Sequence, residues 1–207
     1  MSPRKAAALR DRDDERDLRG HLIATAEQMM IEQGAAGLTV RAIARAAGVA
    51  TGVLYNHFAD KEELLAAALR EHVDNVQRGL GPLPAPGTGE VETNLRTYLD
   101  RGLALHRTIL PVCAGLLAQP AVLARFAETD REERDWRHRL GDYLRTERTL
   151  GRIAPDAQVD AAVAMLVGIC HEQVLSALVP AATVSTPPPL ESVVTAVLDG
   201  IRAPSQR

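Results

Sequence analysis

The chain has 207 residues, of which 46% are hydrophobic and 25% charged, with a formal net charge of −3. That length supports one ordinary domain or two small ones, with a core that needs no covalent staples. Aromatics reach only 3% while alanine and leucine exceed a quarter of the chain, a composition that fills helices and not the alternating faces of a β-sandwich.

Residues 1–16 mix Arg and Asp with few apolar side chains and read as a disordered or frayed arm. From Asp17 the pattern turns helical: Leu18, Leu22, Ala26 and Met29 recur at spacings of three and four, until Gly34 and Gly37 stop it. Thr39, whose hydroxyl can accept an orphan amide hydrogen bond, opens a second short helix that Gly48 ends. A third runs from about Ala50 to His57. Asp60 opens a fourth, with Glu63 as its capping-box partner, and Leu64, Leu65, Ala68, Leu69 and Val73 form its apolar face.

The Pro- and Gly-rich stretch 79–89 is a loop. Beyond it the spacing predicts helices over 91–107 and 109–118, one long helix or two shorter ones over 120–149, and a long apolar helix over 155–178. A last helix starts at Pro188 or Pro189 and ends near Ile201. The charged run Glu128 to Asp135 reads as a solvated face or a break. No apolar run approaches the roughly 18 residues of a membrane span, Met1 to Gly20 lacks a secretory apolar segment, and two cysteines cannot frame a disulfide scaffold. A cytoplasmic protein with no membrane partner is the expectation.

The informative stretch is Thr39 to Leu64. A helix-turn-helix needs a small residue where its helices cross, a glycine able to take positive φ at the turn, and an apolar anchor just past it. Ala44, Gly48 and Val49 supply these in order. Val53 or Leu54 holds the third helix inward, which leaves Thr51, Gly52, Tyr55 and Asn56 facing out. From Thr39 to Ala59 the basic groups are Arg41, Arg45 and His57, and there is no Asp or Glu. The overall negative charge thus conceals a local basic surface, and Lys61 in the first turn of the next helix extends it as a phosphate clamp.

These residues resemble the TetR family of bacterial transcription regulators through the pattern T-x-x-x-I-A-x-x-A-G-V-x-x-G-x-L-Y-x-H-F-x-x-K-E-x-L, read from Thr39 to Leu64. With the first helix the likeness covers about a quarter of the chain. A weaker echo runs from Tyr143-Leu144 to Leu150-Gly151-Arg152-Ile153. The resemblance implies an all-α fold: a helix-turn-helix DNA-binding domain over 17–60, a linking helix over 61–79, and a helical ligand-binding and dimerisation domain over 91–202. It implies that Thr39 meets phosphate and Arg41 a phosphate or a base edge. Thr51, Gly52 and Asn56 would approach base edges in the major groove, and Tyr55, His57 and Lys61 would fix the backbone register. Ala50 departs from the family, which usually has Ser or Thr there; the lost cap is worth about 1 kcal/mol unless Thr51 substitutes.

The partners so implied are a double-stranded DNA operator, a small-molecule effector and a second copy of the chain, for a ligand-responsive repressor. The alternative is a DNA-binding helical protein without small-molecule control. Polar or aromatic groups that interrupt apolar faces are the candidate effector contacts: Tyr98, His106, Cys113, Phe126, Trp136, Met165, Ile169 and His171. Dimerisation is expected through helices 155–178 and 189–202. The first of these carries Val159, Val163, Leu166, Cys170 and Val174 on one stripe, and Ala157, Ala161, Ala164 and Gly168 on another.

Enzyme chemistry finds little support. Cys170, His171 and Glu172 are sequence neighbours, and on a helix adjacent side chains point about 100° apart, so they cannot form a relay. The six histidines show no metal-ligand spacing, and no phosphate loop follows a strand. No cofactor and no metal are expected.

Overall fold

The computed structural model describes residues 3–128, 136–178 and 187–201, with side chains from residue 16 onward. Among them are nine helices and no strand: α1 Pro3–Gln33, α2 Val40–Ala46, α3 Thr51–His57, α4 Lys61–Gly79, α5 Val91–Leu116, α6 Pro120–Ala127, α7 Trp136–Thr149, α8 Val159–Leu178 and α9 Leu190–Ile201. The all-helical expectation holds. Three local readings change. The first helix already begins at Pro3 where a frayed arm was expected, since its alanines and long charged residues are strong helix formers. Helix α5 runs through Pro111 instead of breaking near 108; an interior proline removes one backbone bond, and here the helix carries that cost. Helix α8 starts at Val159, four residues after Pro155. The stretch 120–149 divides into α6 and α7, and residues 129–135 of the charged run lie outside the described residues.

The chain forms two compact units. The first takes the chain through Val76 together with a return segment that starts at Pro111 and carries α6. Its core joins Leu22, Ala26 and Met30 of α1, Ile43 of α2, Leu54 of α3 and Leu64, Leu65 and Leu69 of α4 to Leu116 and Val122 of the return segment. Polar bonds hold that segment in place. Gln119 donates to the Ala35 carbonyl at 3.0 Å and accepts from Lys61 Nζ at 3.0 Å, while Arg125 pairs with Asp60 at 2.5 Å. The sequence reading put everything after residue 91 into the second domain. In the structure Cys113 and Phe126, offered as effector contacts, pack against the core of the first unit instead.

The second unit comprises Gln77–Leu110 and the chain from α7 onward. Leu95 and Leu99 of α5, Leu140 and Leu144 of α7, and Leu166 and Cys170 of α8 are fully buried there. The Val159, Val163, Leu166, Cys170 and Val174 stripe of α8 is buried as its periodicity predicts. Its other stripe is divided: Ala157 is buried, while Ala161, Ala164 and Gly168 are exposed. By length and composition alone α8 could cross a membrane, although Asp160 and Glu172 interrupt its apolar sequence.

Glu147 is the buried charge that the sequence gives no warning of. It is fully buried on α7, accepts from the Gly87 backbone N–H at 3.0 Å, and pairs with Arg152 at 3.3 Å. A carboxylate at such depth needs both partners, because an unpaired buried charge costs several kcal/mol.

Candidate nucleic-acid interface and effector cleft

The turn between α2 and α3 is built from backbone chemistry. Thr39 Oγ1 accepts the Ala42 N–H at 3.1 Å, which caps α2 as its position predicts. At the other end Gly48 takes φ +73°, its N–H bonds the Arg45 carbonyl at 3.2 Å, and the Val49 N–H bonds the Ala44 carbonyl at 3.0 Å. These are the two closing bonds of a Schellman motif, which sets the direction in which the chain leaves α2. His21 Nε2 donates to the Ala47 carbonyl at 3.2 Å and so ties α1 to the same corner.

Helix α3 follows with Leu54 buried and Val53 half-buried. Ala50 has the extended backbone of an N-cap but no side-chain cap bond forms, so Thr51 does not stand in for the missing hydroxyl. Tyr55 is 56% exposed, Gly52 and Asn56 are exposed, and Thr51 and His57 are half-buried. Thr39 and Arg41 are also exposed. The Thr39 oxygen is engaged in the cap, but its own hydrogen remains available to donate. The acids next along the chain are neutralised locally: Asp60 Oδ1 caps α4 through the Glu63 N–H at 2.8 Å, and Glu63 Oε2 reaches back to the Ala59 N–H at 2.7 Å. This is a capping box moved one residue back at its second bond. Lys61 is half-buried and bonded to Gln119, so its ammonium must exchange that partner before it can serve a phosphate. The structure therefore brings Thr39, Arg41, Thr51, Gly52, Tyr55, Asn56, His57 and Lys61 onto one unit. Lys61 alone of these is engaged by its side chain with another helix's cap residue.

In the second unit Tyr98, His106, Trp136 and His171 come together. The Trp136 indole N–H donates to the Tyr98 carbonyl at 3.0 Å, and the ring lies so close over Gly102 that a Cβ there would stand 2.2 Å from it. His106 Nδ1 donates to the Gly102 carbonyl at 2.6 Å, and its ring meets Trp136 edge-on at 5.4 Å and His171 at 4.7 Å. Tyr98 stacks at a tilt on Tyr143 at 4.8 Å. Burial raises the Tyr98 phenol, and the nearby Arg139 charge partly opposes that. Ile169 is buried, whereas Met165 is 54% exposed on the outer face of α8 and does not join the cluster. Burial, aided by the charge of Asp100, pushes the Cys170 thiol up to about 12; the protonated sulfur is a core group and not a nucleophile.

A cleft opens beside this cluster with about 290 Å3 of empty space, including its mouth. The loop after α4 contributes Leu80, Gly81 and Leu83, helix α5 contributes Arg101 and Leu105, and helix α7 contributes Trp136 and Arg139; Gln77 closes the end. The sequence reading named only Trp136 among these. Arg101 was legible in one respect: it stands one turn from Leu105 on a helix whose apolar face is otherwise continuous. Leu80 and Leu83 were apolar residues in a stretch that otherwise favours solvent.

The family profile for bacterial regulatory proteins, tetR family, matches residues 22–68. The chain is similar to the HTH-type transcriptional repressor KstR2 of Mycobacterium tuberculosis, 46% identical over 56 residues, which is 27% of this chain and 28% of that one. It is also similar to the HTH-type transcriptional repressor NemR of Escherichia coli, 32% identical over 96 residues, 46% of this chain and 45% of that protein. The chain thus spans less than half the length of either curated relative. The crystal structure of the multidrug binding protein EbrR complexed with imidazole superposes over 91% of this chain and 97% of that one, with a TM-score of 0.60 and 25% identity. Residues 22–68, from within α1 to within α4, thus match the N-terminal profile of the TetR family of bacterial regulatory proteins, and the helical layout as a whole is similar to that of EbrR.

Proposed function

We infer that this chain is a sequence-specific transcriptional regulator that binds a palindromic operator as a homodimer and responds to a small molecule held in its second unit. The observation that carries the reading is the exposed face of α3, with Gly52, Tyr55 and Asn56 open beside an acid-free, internally closed turn. Two copies would set their α3 helices about 34–36 Å apart in successive major grooves. Thr39 and Arg41 would contact the backbone or an adjacent base edge, Thr51, Gly52 and Asn56 the bases, and Tyr55, His57 and Lys61 the phosphates.

The dimer reading is supported by the outer faces of α8 and α9. Ala161, Ala164 and Gly168 permit close helix approach, Met165 and Leu175 are about half exposed, and Ala196 and Gly200 continue the small-residue surface on α9. A second copy that covers this face accounts for the apolar character of α8 without a bilayer, in keeping with a cytoplasmic protein. Repression is the favoured sign because KstR2 and NemR both carry that name. Effector control is supported by the cleft and by EbrR, which holds imidazole. Helices α4 and α5 each contribute residues to both units, so a ligand that bound two settings of those helices unequally would shift the operator-competent population.

Selection of bound sequences from random duplex DNA tests the reading. The expected result is an inverted repeat whose enrichment fades as salt rises. Retention of no duplex at low ionic strength, or of all sequences equally, would overturn it.

A further inference from the structure

Lys61, the first residue of α4, is held by a side chain that the sequence supplies 58 positions later. Gln119 stands at the N-cap of α6, directly before Pro120, whose ring disfavours helical backbone in the residue ahead of it. An N-cap bond to the helix's own first turn suits short side chains, and Gln119 makes none. Its amide spans two other partners instead. The Ala35 carbonyl can only accept, so at 3.0 Å it fixes the Gln119 NH2 on its side and turns Oε1 toward Lys61 Nζ, also at 3.0 Å. The backbone behind that amide is fixed too: the Gln119 N–H donates to the Leu116 carbonyl at 2.8 Å, and the Gln119 carbonyl accepts the Val122 N–H at 3.0 Å. Further along α6 the Arg125 guanidinium pairs with Asp60, and Arg70 of α4 donates to the Arg125 carbonyl at 2.8 Å. The return segment therefore grips α4 at Lys61, at Arg70 and at the cap residue Asp60, with Gln119 a pre-set acceptor for the ammonium.

We propose that the Lys61–Gln119 bond is an autoinhibitory latch: it withholds from DNA a lysine that would otherwise clamp a phosphate, and the seat of the return segment sets how firmly. The inference rests on the reading of the first unit as a DNA-binding domain and gives that domain a point of control. In the latched arrangement the lysine is half-buried, whereas a duplex phosphate lies in solvent, so the ammonium must give up the amide oxygen to reach one. An ammonium bonds a phosphate more strongly than a neutral amide, because only the phosphate joins two charges. The exchange thus runs toward DNA when a duplex is near, and the latch lowers affinity without abolishing it. A phosphate carries no base identity, so release should strengthen binding to every sequence alike. Helix α5 links the latch to the rest of the chain: from Pro111 onward it belongs to the return segment, and before that to the second unit. A setting of α5 that draws Gln119 off its partner, or presses it on, changes the fraction of molecules with Lys61 ready for DNA.

Titration of a labelled mixed-sequence duplex at low ionic strength tests the latch on the full chain. Gln119→Ala should tighten binding by roughly two- to tenfold, the range for one exchanged hydrogen bond. Gln119→Asn, a methylene too short to span both partners, should do the same. Lys61→Ala should weaken binding and leave Gln119→Ala without effect in its background, which separates release of the lysine from loosening of the Ala35 contact. Without DNA, the two alanine substitutions should be coupled in urea unfolding, with the double variant less destabilised than the two single losses added together. Additive losses, an equal gain from Gln119→Ala when Lys61 is absent, or unchanged binding would each overturn the latch. Weaker binding by Gln119→Ala would overturn it as well, since Gln119 would then be steadying Lys61 for a phosphate. A chain that retains duplex while these comparisons fail leaves the regulator reading standing. Retention of no duplex by the wild-type chain or by Gln119→Ala would sink that reading and the latch with it.

Discussion

The turn at Gly48 and the loop from Leu80 to Glu90 both reverse the chain on positive-φ glycines, and they are held in opposite ways. The first is closed by backbone bonds that span five residues, with Ala44 and Arg45 accepting from Val49 and Gly48. The second is held by side chains from outside it, between 6 and 63 residues away in sequence. Tyr98 donates to the Pro84 carbonyl, Asn94 to that of Thr88, Arg152 to that of Gly89, and Glu147 accepts from the Gly87 N–H. A reversal closed by its own backbone gives a fixed angle, which suits the proposed role of α3 in meeting a rigid duplex in one register. A reversal pinned by side chains from outside it can differ from one relative to another, which suits the rim of a cleft proposed to take a small molecule.

The sharpest way to break the contrast is Glu147→Leu. It leaves the Gly87 N–H without its acceptor and the Arg152 guanidinium without its carboxylate, though Arg152 keeps the Gly89 carbonyl, a loss of about 3 kcal/mol, at the low end for a broken buried pair because Arg152 is a quarter exposed. Urea unfolding should show this, and proteolysis should move to residues 84–89 while the first unit stays protected. Protection unchanged along the loop would mean that Glu147 does not pin it. Next in size is Gly102→Ala. The added methyl would stand 2.2 Å from the Trp136 ring, so the indole must leave its seat, for about 1–3 kcal/mol and a shift of emission to longer wavelength. An unshifted spectrum would show that the ring has room which the structure does not give it.

The same contrast explains what could be read in advance. Thr39, Ala44, Gly48 and Val49, and the Asp60–Glu63 cap, were legible because each acts within about five residues of itself, inside the reach of a local pattern. Cys113 and Phe126 were misplaced because chain order suggested that the second domain, once begun, continued. Contacts such as the pairings of Gln119 with Ala35 and of Arg125 with Asp60, more than sixty residues apart, reveal that the chain returns to the first unit. Arg101 and Glu147 escaped for a related reason. A lone charge on a helix reads as solvated until the loop that covers it is known, and that loop has no period of its own.

Gly48→Ala tests the local closure. A side chain at φ +73° costs about 1–2 kcal/mol, and nothing crowds a Cβ there, so the penalty is conformational and not steric. Operator affinity should fall along with stability, because relief of the strain re-aims α3. An affinity that held while stability dropped would mean that the turn angle matters less than the closed backbone bonds imply.

The smallest effect, and the one of opposite sign, is Ala50→Ser. Ala50 has φ −71° and ψ 145°, the extended geometry of an N-cap, and its carbonyl accepts the Val53 N–H at 3.0 Å, yet it offers no side-chain acceptor to the first turn of α3. A serine oxygen there would reach the N–H of Gly52, or share that of Val53 with the Ala50 carbonyl, without moving the backbone, for a gain of about 1 kcal/mol. Helix α3 has only seven residues and two neighbours in sequence that are already fixed, the Schellman turn before it and Phe58 after it. The gain should therefore appear as slower amide exchange at Gly52 and Val53 and not as a longer helix. If those amides were already protected, α3 would be held by Leu54 and Phe58 alone, and the missing cap would cost this chain nothing.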